Sequence, residues 1–347
     1  KLIMAFTTIN KSTDYFNTVI YTGNGASNRA VTSGFATDFV WIKNRGTTDD
    51  HVLFDKIRTG TKYLYSNQTS AEATYSSQEV TFENTGVNVG SYQSINQNSG
   101  NIASWHWKAN GAGSANTAGS INSTVSANTT NGFSIVSYTG TGSNATVGHG
   151  LGVAPSLIIT KARTASGRFW GVYSKPLENT GVMALNSTQA FDTSATYWNN
   201  TSPTDTLFSV GTNGDTNSAS AMIAYCFADV QGFSKTGSYV GTGNADGPFC
   251  YTGMKPAFVM AKAVTSGPGW TIIDNKRNPV NPEDKWLYPN GSDAEYDASS
   301  YPSDFLSNGF KIRNTGSYFN SSGVKYIYMA FAAAPLVGSN NIPANAR

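Results

Sequence analysis

At 347 residues the chain is long for one hydrophobic core and sufficient for two or three domains. Charged residues supply only 13% and aromatics 12%, so the polarity rests on Asn, Ser, Thr and Gly, a balance that favours strands and turns and excludes a disordered chain. A formal charge of +2 without any run of Lys or Arg excludes a basic nucleic-acid stripe. No apolar run approaches the ~18 residues of a membrane-spanning helix, and two cysteines cannot make a disulfide framework.

The chain opens on an N-terminal segment, 1–14, with no apolar stretch of a secretory leader. Met4 reads as the natural start, with Lys1-Leu2-Ile3 as an appended remnant. From residue 15 a pattern begins that returns twice. Tyr21-Thr-Gly-Asn-Gly25 recurs as Tyr138-Thr-Gly-Thr-Gly142 and as Tyr239-Val-Gly-Thr-Gly243. Each is followed by an apolar run ending in lysine: Phe39-Val-Trp-Ile-Lys43, Leu157-Ile-Ile-Thr-Lys161 and Phe258-Val-Met-Ala-Lys262. Next come Val87-Asn-Val89, Phe208-Ser-Val210 and Phe310-Lys-Ile312, alternating as half-buried strands do. The closing strands are Ser104-Trp-His-Trp107, Ala224-Tyr-Cys-Phe227 and Tyr328-Met-Ala-Phe331, with one large apolar face in common.

These matches predict an all-β chain of three tandem diverged repeats of about 100 residues, each a β-sandwich of jelly-roll type, at 15–109, 132–231 and 232–335. Residues 110–131, rich in Gly, Ser, Asn and Thr, read as a linker or extended surface strand. A C-terminal tail, 336–347, follows the third repeat.

The repeats act as an internal control on chemistry. His51 matches Trp170 and Trp270, and His106 matches Cys226 and Ala330. His149 matches Cys250 by its distance from the glycine motif. A ligand or nucleophile that yields to tryptophan or alanine in its sister copies carries no shared chemistry, so the histidines and cysteines read as packing residues. No metal and no cofactor are expected. Lys43, Lys161 and Lys262 persist in all three copies and read as lysines whose stems cover apolar surface while the ammonium reaches water or a carboxylate. Carboxylates such as Glu72, Glu79, Asp293 and Glu295 show no paired spacing that would mark a glycosidase. Asn213-Gly-Asp-Thr-Asn217 reads as a turn, with too few carboxylates for calcium.

Binding is better sought in aromatics that only one copy carries. Tyr197 and Trp198 sit in one polar, turn-rich stretch, and Tyr296 and Tyr301 in another rich in Asp and Ser. An exposed ring beside neutral hydrogen-bonding groups is what a sugar requires, so these four are candidate glycan contacts.

The opening Met4 to Phe16, Phe39 to Arg45, Gly132 to Gly142, Ile223 to Phe227, Phe258 to Lys262, Tyr326 to Phe331 and Pro343 to Arg347 together resemble tail-fibre and virion structural proteins of marine bacteriophages, cyanophage-like ones in particular. The resemblance implies a non-catalytic virion component on the particle exterior, assembled in the host cytoplasm. Its partners would be other virion proteins, copies of itself as a homo-oligomer such as a trimer, and a host-surface glycan, with neither nucleic acid nor membrane insertion. A capsid or tail decoration protein and a glycan depolymerase are the alternatives. The resemblance supplies no catalytic or receptor-binding residue.

Overall fold

The computed structural model describes residues 7–337, so the readings placed on residues 1–6 and 338–347 lie outside it. The described chain is almost wholly β, in several separate antiparallel sheets with only single helical turns between strands.

Three large sheets share one inner arrangement. In the first, strands Phe16–Thr22 and Phe39–Asn44 flank Asn101–Trp107, and Val52–Asp55 lies beyond. In the second, Phe133–Thr139 and Leu157–Ala162 flank Ala221–Phe227, with Gly171–Ser174 beyond. In the third, Ser234–Val240 and Met254–Ala263 flank Lys325–Pro335, with Thr271–Asp274 beyond. Register agrees as well as order. Trp107 pairs with Phe16 and Phe39, Phe227 with Phe133 and Leu157, and Phe331 with Ser234 and Phe258. A small sheet covers the outer face of each large one.

The tyrosine-glycine motif has a structural cause. Tyr21, Tyr138 and Tyr239 donate their hydroxyls to the carbonyls of Ile95, Thr216 and Phe319 at 2.6, 2.5 and 2.9 Å. The next residue in each loop is an asparagine, Asn96, Asn217 or Asn320, whose amide donates to a carbonyl six residues earlier at 2.8, 2.7 and 2.6 Å. That loop lies so close to Gly23, Gly140 and Gly241 that a Cβ at any of the three would overlap a backbone carbonyl.

The apolar face common to the closing strands does not fill three separate sandwiches. Trp105, Trp107, Tyr225, Phe227, Met329 and Phe331 all point into one central core built from all three sheets. Three further cores, one per segment, lie on the opposite faces. Burial on both faces is why a strand such as Leu157–Ala162 is buried at every position rather than alternating. The centre is tightly packed, with a void of only about 10 Å³ among Phe39, Trp107, Tyr225 and Met329.

The segments close into a ring. Glu72 of the first donates its backbone N–H to the Arg163 carbonyl of the second, Phe191 of the second to Val264 of the third, and Glu295 of the third to Arg45 of the first, at 2.6, 2.8 and 2.8 Å. At two joints the same positions carry a buried ion network. Arg58 binds Asp55 at 2.5 Å and Glu72 at 3.3 Å, Tyr225 donates to Asp55 at 2.7 Å, and Arg163 clasps Glu72. Arg277 binds Asp274 at 2.6 Å and Glu295 at 3.0 Å, Trp105 donates to Asp274 at 3.1 Å, and Arg45 clasps Glu295. At the third joint the matching residues are Ser174, Leu177, Met329, Phe191 and Val264, and the four apolar ones pack on the central core. The charges have been replaced together, which avoids leaving any one of them buried without a partner.

The linker 110–131 holds strands Ser114–Asn116 and Ser123–Asn128, which extend the second large sheet by two strands. Among the described residues the ammonium groups of Lys43, Lys161 and Lys262 form no ion pair with a carboxylate. All three side chains are fully buried and donate to backbone carbonyls, including Ser292 of the third segment for Lys43 and Thr69 of the first for Lys161. Burial lowers the pKa of each to about 8. Lys43 and Lys161 are therefore joint residues, a role invisible without the neighbouring segment, whereas Lys262 bonds Ala263 and Thr265 of its own segment.

Candidate functional site

The third segment carries an open aromatic cleft of about 200 Å³, lined by Trp286, Tyr288, Tyr296, Tyr301, Ser317 and Tyr318. Two short paired strands, Lys285–Trp286 and Tyr296–Asp297, place Trp286 directly across from Tyr296. Around the Trp286 ring stand Tyr301 at 5.8 Å, Tyr318 at 5.6 Å and Tyr296 at 6.2 Å between centroids. Tyr296 is 46% exposed, while Trp286 is buried and its Nε1 finds no acceptor among the described residues. Burial pushes the Tyr288 and Tyr318 hydroxyls upward, and the nearby Asp293 charge adds to it, so both remain donors at neutral pH. The arrangement offers an apolar platform, several hydroxyls and a carboxylate at its margin, which suits the alternating faces and hydroxyls of a pyranose ring.

The same place in the first segment is closed. There Tyr75 stacks on Tyr63 at 4.0 Å and meets Tyr92 at a tilt, 4.4 Å between centroids. Tyr92 precedes the loop asparagine Asn96 by four residues, and Gly316 precedes Asn320 likewise, each accepting the asparagine's backbone N–H. A glycine where the first segment has a tyrosine leaves room for Tyr301 to lie against the backbone of Gly316, and the cleft stays open.

In the second segment the place is a larger and more acidic cleft of about 270 Å³, lined by Phe169, Trp170, Gln189, Asp192, Tyr197 and Asp215 among others. Tyr197 donates to Asp192 at 2.8 Å, and Asp215 accepts the Phe169 backbone N–H at 2.8 Å. Burial raises the Asp215 pKa, opposed by that hydrogen bond and by Arg168.

The four glycan candidates therefore divide. Tyr296 and Tyr301 line one cleft, Tyr296 exposed and Tyr301 half-buried. Trp198 does not present its ring to solvent: it is 1% exposed and meets Tyr173 edge-on at 5.8 Å inside the second core. Tyr197 is also mostly buried, with its hydroxyl at the acidic cleft. The cause is a single helical turn, Ala195–Trp198, capped by Ser194, which folds both rings inward from a stretch that reads as polar loop. Residues that sequence reasoning missed are Trp286, Tyr288 and Tyr318; the run of aromatics across 286–301 could have signalled the first two, and nothing local signals Tyr318.

His51, His106 and His149 are fully buried. His106 bonds Ser104 at 2.8 Å and Thr37 at 3.2 Å, and its pKa is lowered to about 3 by burial. His149 aligns with Thr252 rather than Cys250, because Val147 pairs with Phe208 as Cys250 pairs with Phe310. The intervening loop is two residues shorter in the second segment, which the motif distance concealed. Cys226 and Cys250 are free thiols buried in different cores. No group of three metal-ligating side chains occurs among the described residues. Asn213 caps a helical turn, Gly214–Asn217, instead of a cation loop. Glu72 and Glu295 are each held by two arginines, and Glu79 bonds Ser77 and the Tyr92 backbone, so these carboxylates are committed to structure.

An antiparallel all-β protein with an open aromatic cleft is the class that fold and site define. Within it, residues 11–335 match the model described as "Domain of unknown function (DUF7483)", and the chain belongs to that family. The match runs through all three segments as one domain, in keeping with their common central core. No curated protein matches the chain.

Proposed function

We propose that the chain is a non-catalytic bacteriophage virion protein of tail-fibre type, built from three diverged copies of one sandwich, that attaches to a host-surface glycan. The aromatic cleft around Trp286, Tyr296 and Tyr301 carries the reading, because Tyr296 is exposed at the mouth of a ring cluster that the first segment fills and the third leaves open. A single cleft of this size binds weakly, so attachment depends on many copies held together by other virion proteins on the particle exterior. The ring of three segments already supplies within one chain what a homotrimer would, which leaves the outer surfaces for contacts with further copies and partners.

Purified protein on an array of bacterial surface polysaccharides tests this. The double variant Tyr296→Ala/Tyr301→Ala should lose at least ten-fold in binding while its melting temperature stays near that of the parent. Trp198→Ala is the control and should instead melt early, since truncating a buried tryptophan costs about 3–5 kcal/mol. Wild-type binding that the double variant retains, or no binding to any polysaccharide, removes the attachment reading in favour of a decoration protein. Asp192 and Asp215 in one cleft support a second reading, a glycan depolymerase. Reducing ends released by the wild type but not by Asp215→Asn would favour it.

A further inference from the structure

The strands Phe16–Thr22, Phe133–Thr139 and Ser234–Val240 hold the same place beside their closing strands, yet among the described residues only the second is covered by a further strand. Ser123–Asn128 pairs along the outer side of Phe133–Thr139, with Val125 across from Val136 and Ser123 across from Tyr138. Its apolar side chains, Ile121 and Val125, are buried in the second core. The same segment covers the small sheet: Ile121 donates to the Thr146 carbonyl at 3.0 Å, and Ser123 to that of Gly148 at 3.2 Å.

Among the described residues no strand pairs along the outer side of Ser234–Val240. Its first half is shielded, since Thr236 donates its backbone N–H to Asp229 at 2.7 Å. Among the described residues the second half, 237–240, has no such cover, and exposed apolar side chains stand both on this strand and on the small sheet's edge strand Phe249–Tyr251. Val240 is 56% exposed, Phe249 44% and Tyr251 57%. Through the Val147–Phe208 and Cys250–Phe310 pairs, Phe249 and Tyr251 correspond to Thr146 and Gly148, the two residues that the chain's own strand covers in the second segment. Among the described residues the polar version of this surface is covered and the apolar version is bare. The first segment differs again. It has Ala30 and Thr32 in these places, with the Arg29 guanidinium 5.2 Å over the Tyr21 ring, and a charge at the margin discourages strand addition.

We propose that the open edge of Ser234–Val240, with Val240, Phe249 and Tyr251, is the docking site for an extended strand of another polypeptide. The occupant is an uncharged segment with small apolar side chains at alternate positions, because the matching edge in this chain is filled by a strand of that chemistry. Main-chain pairing supplies the affinity and the three exposed side chains supply the contact area. This inference is independent of the glycan cleft, which lies on other residues.

A fluorescein-labelled peptide of residues 119–129, the chain's own covering strand, is the probe, added to the full chain and followed by anisotropy. Saturable binding is expected, weakened at least ten-fold by Val240→Lys and by Tyr251→Lys. Both residues are more than half exposed, so the variants should keep the wild-type circular dichroism and melting temperature. A lack of binding at millimolar peptide overturns the proposal. So does binding that survives both variants, which would place the peptide on the second segment by exchange with the resident strand. Sedimentation showing a wild-type dimer that Val240→Lys abolishes would make the occupant a second copy and overturn the separate partner.

Discussion

Arg277→Leu tests how the ring is held together. The guanidinium is fully buried and makes three bonds: to Asp274 at 2.6 Å, to Glu295 at 3.0 Å and to the Ile272 carbonyl at 2.9 Å. It also lies 5.9 Å over the Trp105 ring. Leucine leaves Asp274 charged in the interior with the Trp105 N–H and two backbone N–H groups as its remaining donors. Breaking a buried pair from one side costs about 3–5 kcal/mol. The third joint predicts a rescue, because Ser174, Leu177, Phe191, Val264 and Met329 already occupy these positions without charge. Installing Asp274→Ser, Glu295→Phe, Arg45→Val and Trp105→Met on top of Arg277→Leu should recover most of the loss, even though each alone is destabilising. Urea unfolding at constant slope measures both variants. A single-variant cost below about 1 kcal/mol, or a combined variant as unstable as the summed singles, would refute the view that the charges stabilise only as a complete set.

Two further outcomes follow from burial. The folded pKa of His106 is about 3, below the unfolded value of 6.5, so the unfolded state takes up the proton first and stability falls as pH drops below 6.5. From pH 7 to pH 5 this residue contributes a loss of about 2 kcal/mol, and His106→Ala, the residue found at the matching position 330, should remove that part of the decline; an unchanged decline would contradict it. Burial raises the pKa of Cys226, and that of Cys250 to about 12, so neither thiol should react with iodoacetamide in the native protein and both should react in urea. Labelling of either in the folded chain at neutral pH would show that its core opens.

Much of the fold was legible before any coordinates. The Tyr-x-Gly-x-Gly spacing and the lysine-terminated runs gave the all-β class and put Tyr21, Tyr138 and Tyr239 into strands with matching neighbours, because register is set locally by side-chain alternation and turn geometry. Comparison among the copies also marked the histidine positions as packing positions, and His51, His106 and His149 are all buried. What the sequence could not decide is where the apolar faces meet. Trp107, Phe227 and Phe331 carry the same pattern whether they fill three sandwiches or one shared centre, and only the ring closure of Glu72, Phe191 and Glu295 onto the next segment selects the latter. The site depended on tertiary structure for the same reason. Trp198 and Tyr301 both sit in polar stretches, but a capped helical turn buries the first, whereas Gly316 leaves the second beside an open cleft. The contacts that separate a packed ring from a presented one come from residues distant in the chain, and no local pattern records them.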